Sequence, residues 1–268
     1  MKLQDKIVWI TDAGSASSRR IASKLRDEGA VVVCNYFPAR FTATEDAAMS
    51  TGADPASFEA INNAASAILE RYGRIDVLVH NNNKIITASL EDCTDEQFDL
   101  SLGYNVKSAY LYTQVVGRIM KAARCGNIVF VSSIHDEKPC GGAFSYSIAK
   151  GALKMLAKEM VLDMGPYNVR VNIIEAGPME GEEKLFYSDM SPLYEHTIEK
   201  IANKKLGSME DIANAVLFFA SDDCSFANGS ELRLDGGFLL AYYPRRINRE
   251  AAIKTAEAAA SCSTDPEV

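Results

Sequence analysis

The sequence predicts an α/β fold: a parallel sheet wound on both faces by helices, in a single Rossmann-like domain. Two observations predict it. Short apolar runs alternate with segments of helical periodicity along nearly the whole chain, and polar, chemistry-bearing residues recur at the carboxyl ends of those runs. A length of 268 residues suits one such domain.

The elements follow in order. Residues 6–11 (Lys-Ile-Val-Trp-Ile-Thr) form an apolar run that turns at Asp12-Ala13-Gly14-Ser15. Residues 19–28 carry Ile21, Ala22 and Leu25 on a helical spacing and stop at Gly29. Residues 30–35 read as a buried strand. Between Asn35 and Pro55 the chain is short for a helix plus a strand, so this third β-α unit reads as truncated. A helix over 55–72 ends at Gly73, and a strand follows at 75–80. Thr94-Asp95-Glu96-Gln97 has the form of a capping box and opens one long helix to about Arg124. Strand 127–132, helix 145–164, strand 169–174, helix 209–221 and strand 231–234 complete the alternation.

Composition excludes several classes. Hydrophobic residues at 47% with 24% charged are those of a globular chain. A formal charge of -8 without any basic stripe argues against a nucleic-acid partner. There is no apolar leader and no apolar run near about 18 residues, which predicts a cytoplasmic protein with no membrane segment. Cys34, Cys93, Cys125, Cys140, Cys224 and Cys262 are scattered and read as reduced packing residues. His80, His135 and His196 show no metal spacing, so no metal is expected.

The chemistry centres on Tyr146 and Lys150. Four apart in a helix-forming stretch, they share one face a turn apart. A phenol with a pKa near ~10 is a poor acid-base group at neutral pH, and an adjacent ammonium favours its phenolate. Ser133, at the end of an apolar strand, can orient a substrate carbonyl beside it. A Tyr-x-x-x-Lys pair alone is common surface decoration. Here Thr11, Asn35, His80, Ser133 and Glu175-Ala176-Gly177 all fall at strand ends, where such sheets bind ligands.

From Lys6 to about Leu239 the chain resembles the single-domain short-chain dehydrogenases/reductases. The resemblance is carried by Gly73-Arg74-Ile75-Asp76-Val77-Leu78-Val79, Asn105-Val106, Ser133 with Tyr146-x-x-x-Lys150, Val169-Arg170-Val171-Asn172 and Leu234-Asp235-Gly236-Gly237. It implies a seven-stranded Rossmann-like sheet, NAD or NADP as cofactor, and interconversion of a small-molecule alcohol and carbonyl by hydride transfer. A homodimer or homotetramer is also implied. Tyr146 would be the general acid/base, and Lys150 would lower its pKa and hold the nicotinamide ribose. Ser133 would bind the substrate oxygen, and Asn105 would anchor a proton-relaying water. Residues 178–205 would be a substrate lid, with apolar and aromatic residues from Leu185 to Ile198, and His135 and Cys140 either line the pocket or fill loops.

The cofactor end departs from the family's Thr-Gly-x-x-x-Gly-x-Gly loop. The aligned stretch is Thr11-Asp12-Ala13-Gly14-Ser15-Ala16-Ser17-Ser18, with the motif glycines replaced by Asp12, Ala16 and Ser18. A carboxylate about 5 Å from a phosphate repels it by roughly 3 kcal/mol at an effective dielectric near 20. Arg19 or Arg20 could offset Asp12, or Asp12 could turn outward and cap the following helix. Ser15, Ser17, Ser18 and helix N-terminal amides could still cradle phosphate. Asn-Asn-Ala-Gly becomes His80-Asn81-Asn82-Asn83, the adenine-contacting acid falls at Thr51, Pro-Gly becomes Ala176-Gly177, and a nearby threonine becomes Gly181. The resemblance places Asp12, Ser15, Ser17, Ser18, Asn35, Asn81, Tyr146, Lys150 and Met179 at the cofactor. Asn35-Tyr36, with Arg40 nearby, lacks an anion that would repel a 2′-phosphate, which favours NADP over NAD.

Two readings stand at this point. One is an active NAD(P)-dependent oxidoreductase. The other is a cofactor-impaired relative serving as a structural or regulatory subunit of a hetero-oligomer. Residues 241–268 form an extension, with Ala-rich and polar stretches, that reads as partly helical or disordered.

Overall fold

The computed structural model describes residues 1–37, 47–181 and 197–240. The strands are β1 (Ile7–Ile10), β2 (Val31–Asn35), β3 (Met49–Thr51), β4 (Val77–His80), β5 (Gly126–Ser133), β6 (Val169–Ala176) and β7 (Glu231–Leu234). The helices are α1 (Ala16–Asp27), α2 (Phe58–Tyr72), α3 (Asp95–Leu102), α4 (Ser108–Ala123), α5 (Phe144–Met164), the short α6 (Thr197–Lys200) and α7 (Met209–Ala220). The strands form one seven-stranded sheet in the order β3-β2-β1-β4-β5-β6-β7, parallel at every pairing.

Every residue of β1 and β4 is buried, as expected for central parallel strands covered on both faces. One face packs Val8, Ile10, Val32 and Val79 against Ile21 and Leu25 of α1 and Val216 of α7. The other packs Trp9, Leu78, Ile128 and Phe130 against Ile61 and Ile68 of α2, Tyr112 and Val116 of α4, and Leu153 of α5. Chain order reverses direction between β1 and β4, which opens a crevice above their carboxyl ends. Tyr146, Lys150, Ser133 and the loop that follows β1 lie at that crevice.

Three elements differ from expectation. The third β-α unit keeps its strand: β3 pairs with β2 from Met49 to Thr51. A three-residue strand of Met, Ser and Thr at the sheet edge leaves no apolar run to read. The helix expected over 55–72 starts at Phe58, because Ser57 caps it by accepting the Ala60 N–H. The single helix expected from Thr94 to Arg124 does open on its capping box, but it widens to a π-helical turn at Gly103–Lys107 before continuing as α4. Such turns commonly mark functional positions, and this one carries Asn105.

The lid residues 182–196, Arg40, His196, Cys262 and the extension 241–268 lie outside the described residues.

Candidate active site

Helix α5 presents Tyr146 and Lys150 to the crevice. Both are buried, and the Lys150 ammonium stands 5.3 Å from the Tyr146 ring centroid. Lys150 Nζ donates to the Asn82 carbonyl at 3.2 Å, so the end of β4 holds the ammonium over the phenol. The Tyr146 hydroxyl donates to Asn83 Oδ1 at 2.8 Å. Asn83 thus reaches the proposed acid/base directly, a contact between residues 63 apart in sequence.

Ser133 is the last residue of β5 and caps the following 3-10 turn, accepting the His135 N–H at 3.4 Å. Its own proton remains available for an oxygen in the crevice. The His135 ring stands edge-on to Tyr146, centroids 6.1 Å apart. Its Nδ1 lies 2.7 Å from the Lys138 carbonyl, which can only accept, so Nδ1 carries the proton. Burial lowers the His135 pKa although the Lys138 carbonyl opposes it, and the ring is neutral. Cys140 is buried beside Ala143 and Tyr146.

Asn105, fully buried in the π turn, fastens the loop after β4. Its amide donates to the carbonyls of Lys84 and Ser101, both at 2.8 Å, and its Oδ1 accepts the Lys84 N–H at 2.9 Å. The widened turn is held from below. Ser108 Oγ donates to the Tyr104 carbonyl at 2.6 Å and meets His80 Nε2 at 2.9 Å. Since the hydroxyl proton goes to Tyr104, Nε2 is the donor. Burial, reinforced by the Lys150 charge, pushes His80 down to about 3 and keeps it neutral.

The residues aligned with the phosphate loop divide into two groups. Ser15, Ala16 and Ser17 line a cavity of about 680 Å3, together with Asn83, Ile85, Glu180, Gly181 and Met209. Ser15 caps α1 by accepting the Ser18 N–H at 3.1 Å. Ser18 instead points inward, donating to the Thr11 carbonyl at 3.3 Å. Asn81 works from beneath: its amide donates to Ser17 and Ser18 Oγ, each at 2.8 Å, and clamps the loop against β4. Asn35 also turns away from the crevice, binding Ala53 N and O and the Thr51 hydroxyl. Met179 is buried in the core under α7. Thr51 is taken up by that sheet contact, and the acidic side chain after β3 is Asp54. It lines a second cavity of about 790 Å3 with Phe37, Pro55, Tyr104 and Lys107.

Asp12 neither caps α1 nor pairs with an arginine. Arg19 donates to the Gly14 carbonyl and Arg20 binds Glu210. Asp12 adopts a left-handed backbone, φ 48°, which aspartate tolerates better than most residues. Its carboxylate faces inward. Burial pushes it up to about 6, although the Tyr104 hydroxyl, the Asn83 N–H and the charges of Lys150 and Lys84 all favour the anion.

The arrangement suits NAD(P) at the nicotinamide end, where the buried ammonium and phenol would meet a ribose and the buried Asn82 Oδ1 lacks any hydrogen-bond partner among the described residues. At the phosphates, the α1 N-terminus and the Ser15 and Ser17 hydroxyls offer donors. Asp12, and Glu180 in the lining of the cavity that Ser15 and Ser17 share, are acidic groups there that oppose an anion.

The family profile described as enoyl-(acyl carrier protein) reductase matches residues 14–239. An uncharacterised oxidoreductase of Thermotoga maritima is 32% identical over 247 residues, covering 88% of this chain and 98% of that protein. Cyclopentanol dehydrogenase of a Comamonas species is 28% identical over 245 residues, covering 88% and 98%. Among solved structures, an NAD+-bound xylitol dehydrogenase superposes with a TM-score of 0.80 at 26% identity, covering 88% of this chain and 100% of that one.

Proposed function

This chain belongs to the short-chain dehydrogenase/reductase family, and we propose that within it Tyr146 exchanges the proton while Lys150, Ser133 and Asn105 support the transfer. It is an oxidoreductase that interconverts an alcohol and a carbonyl, and its family uses NAD(P). The observation that carries the residue roles is the buried Tyr146–Lys150 pair at the crevice floor, with the ammonium 5.3 Å from the phenol ring.

The nicotinamide, when bound, supplies or takes the hydride. Lys150 lends its charge to the phenolic oxygen and holds a ribose hydroxyl. Ser133 donates to the substrate oxygen and fixes its orientation. Tyr146 leaves Asn83 Oδ1 and passes its proton to that oxygen, or accepts one in the reverse direction. Asn105 keeps the loop after β4, and with it Asn82 and Asn83, in register with α5.

NADP is favoured over NAD. No carboxylate ends β2, and the Asn35 amide there is turned into the sheet. A cytoplasmic location is part of this proposal; among the described residues no helix is long and apolar enough to cross a membrane. A homo-oligomer is favoured because Ile148, Met155 and Leu162, seven residues apart on one side of α5, are 48%, 58% and 74% exposed. The reading as a cofactor-impaired subunit is disfavoured by the assembled quartet, since folding alone does not require a buried lysine over a buried tyrosine.

Tyr146→Phe tests the assignment. Turnover of alcohol or carbonyl substrates falls at least a hundredfold, whereas calorimetric NADPH affinity stays within about threefold. Residual activity above a few per cent refutes the role given to Tyr146.

A further inference from the structure

Asp12 is tied to the linings of two cavities through its hydrogen-bond partners. Its two hydrogen-bond donors come from opposite sides: Asn83 lines the cavity bordered by Ser15 and Ser17, and Tyr104 lines the one bordered by Asp54 and Lys107. A dinucleotide held in the crevice would bring its phosphates to the loop that Asp12 begins. The groups facing Asp12 are Tyr104 from the π turn, Tyr112 from α4, Lys84 and the Asn83 amide from the loop after β4, and Lys150 from α5. Of the two lysines, Lys150 is shared with another acceptor, the Asn82 carbonyl. Both arginines of the loop are engaged elsewhere.

We propose that Asp12 is a cofactor-binding residue that works as a neutral acid: as the dinucleotide binds, the Asp12 carboxylate takes one proton from solvent and becomes a hydrogen-bond donor to the ligand. This inference rests on the NAD(P) reading above. The balance is simple. A phosphodiester is ionised throughout the neutral range and has no proton to share, so the proton joining two anionic oxygens must come from water or buffer. One O–H bond forms on Asp12, and one unit of positive charge enters the crevice with the ligand.

The free protein is already near this state, since burial holds Asp12 at about 6. An approaching anion raises it further. The sign follows from linkage: the complex binds more protons than the free protein, so affinity is highest at low pH and falls as pH rises above about 6. The limiting slope is about tenfold in Kd per pH unit. A glycine at this position would bind without proton uptake. This chain therefore gains a pH-dependent hold on its cofactor in exchange for weaker binding in alkali.

The test is calorimetric titration of the full-length protein with NADPH and NADH between pH 6 and 8.5, in phosphate and in Tris, whose ionisation enthalpies differ. The expected result is uptake approaching one proton per dinucleotide near pH 7.5, with Kd rising about tenfold per pH unit. Asp12→Asn and Asp12→Gly should bind with little uptake and a flat Kd, and at pH 8 at least about tenfold more tightly than the wild type. Asp12→Gly fits the left-handed backbone and guards against misfolding of the isostere. If the wild type binds with buffer-independent heat, or both variants keep the proton uptake, the inference falls and the NAD(P) reading stands. If no protein binds either dinucleotide at any pH, both fall together.

Discussion

At the residue scale, Tyr146, the proposed proton-handling group, already has a partner. Tyr146 donates to Asn83 Oδ1 at 2.8 Å, and a substrate oxygen must replace that acceptor. A neutral hydrogen bond of this kind contributes about 1 kcal/mol net. Asn83→Gly is therefore expected to lower the substrate KM about fivefold with kcat within about twofold, measured by steady-state kinetics at saturating cofactor. A fall in kcat instead would mark Asn83 as part of the relay. Tyr146 and Lys150, four apart, and Ser133 at a strand end could be grouped from the sequence by position, whereas Asn105 was singled out only through the family resemblance; the roles of all four are proposals. Asn83 was legible only as an oversized residue in a glycine position. Its reach to Tyr146 depends on how the loop after β4 is fastened by Asn105, which no short-range pattern reveals. Asp12 shows the same limit: its inward turn follows from a φ of 48° and from Tyr104, ninety-two residues later in the chain.

At the element scale, two of the three lysines of α5, one turn apart, sit in different surroundings. Lys150 serves the crevice. Lys154, 12% exposed, sits among Asp136, Glu137, Glu175 and Glu231, with Nζ at 3.7, 3.0, 2.6 and 3.0 Å. The oxygens of Glu137, Glu175 and Glu231 lie close enough to hold a cation, and the ammonium occupies that centre. This knot ties the turn after β5 to β6 and β7. It leaves Asp136 over-anionic: burial and the Glu175 charge push it up to about 7 despite Lys154. A carboxyl raised on folding favours the native state below its unfolded pKa, near 3.8, and loses that advantage as pH climbs through about 7. Asp136→Asn should consequently match the wild type only below about pH 3.8 and gain on it progressively up to about pH 7, exceeding it by at least roughly 1–2 kcal/mol at pH 8, read from urea midpoints at pH 3.5 and pH 8. Equal shifts at both pH values would show that the charge is immaterial. Among the elements themselves, the long apolar strands and the capped helices were readable in advance. The edge strand β3 and the π turn were not, because one is set by pairing to β2 and the other by the Ser108–His80 support beneath it.

At the scale of the whole molecule, the sheet order places the crevice where the winding reverses, and it leaves the outer side of α5 bare. Ile148, Met155 and Leu162 form a stripe there that a second copy would cover. Met155→Glu combined with Leu162→Glu should shift the protein to a smaller species in size-exclusion chromatography with light scattering, while the far-ultraviolet dichroism is unchanged. An unaltered mass would assign the assembly to another face. The alternation of strands and helices was enough to predict the sheet, since both faces had to be covered for so many apolar runs to be buried. Trp9, the single tryptophan of the chain, has a further use. It lies on the inner strand β1, wholly shielded and edge-on to Tyr112 at 5.1 Å. Its emission should therefore be blue-shifted in the native protein and move to the red only when the sheet itself opens, so one fluorescence channel reports the integrity of the scaffold independently of events in the crevice.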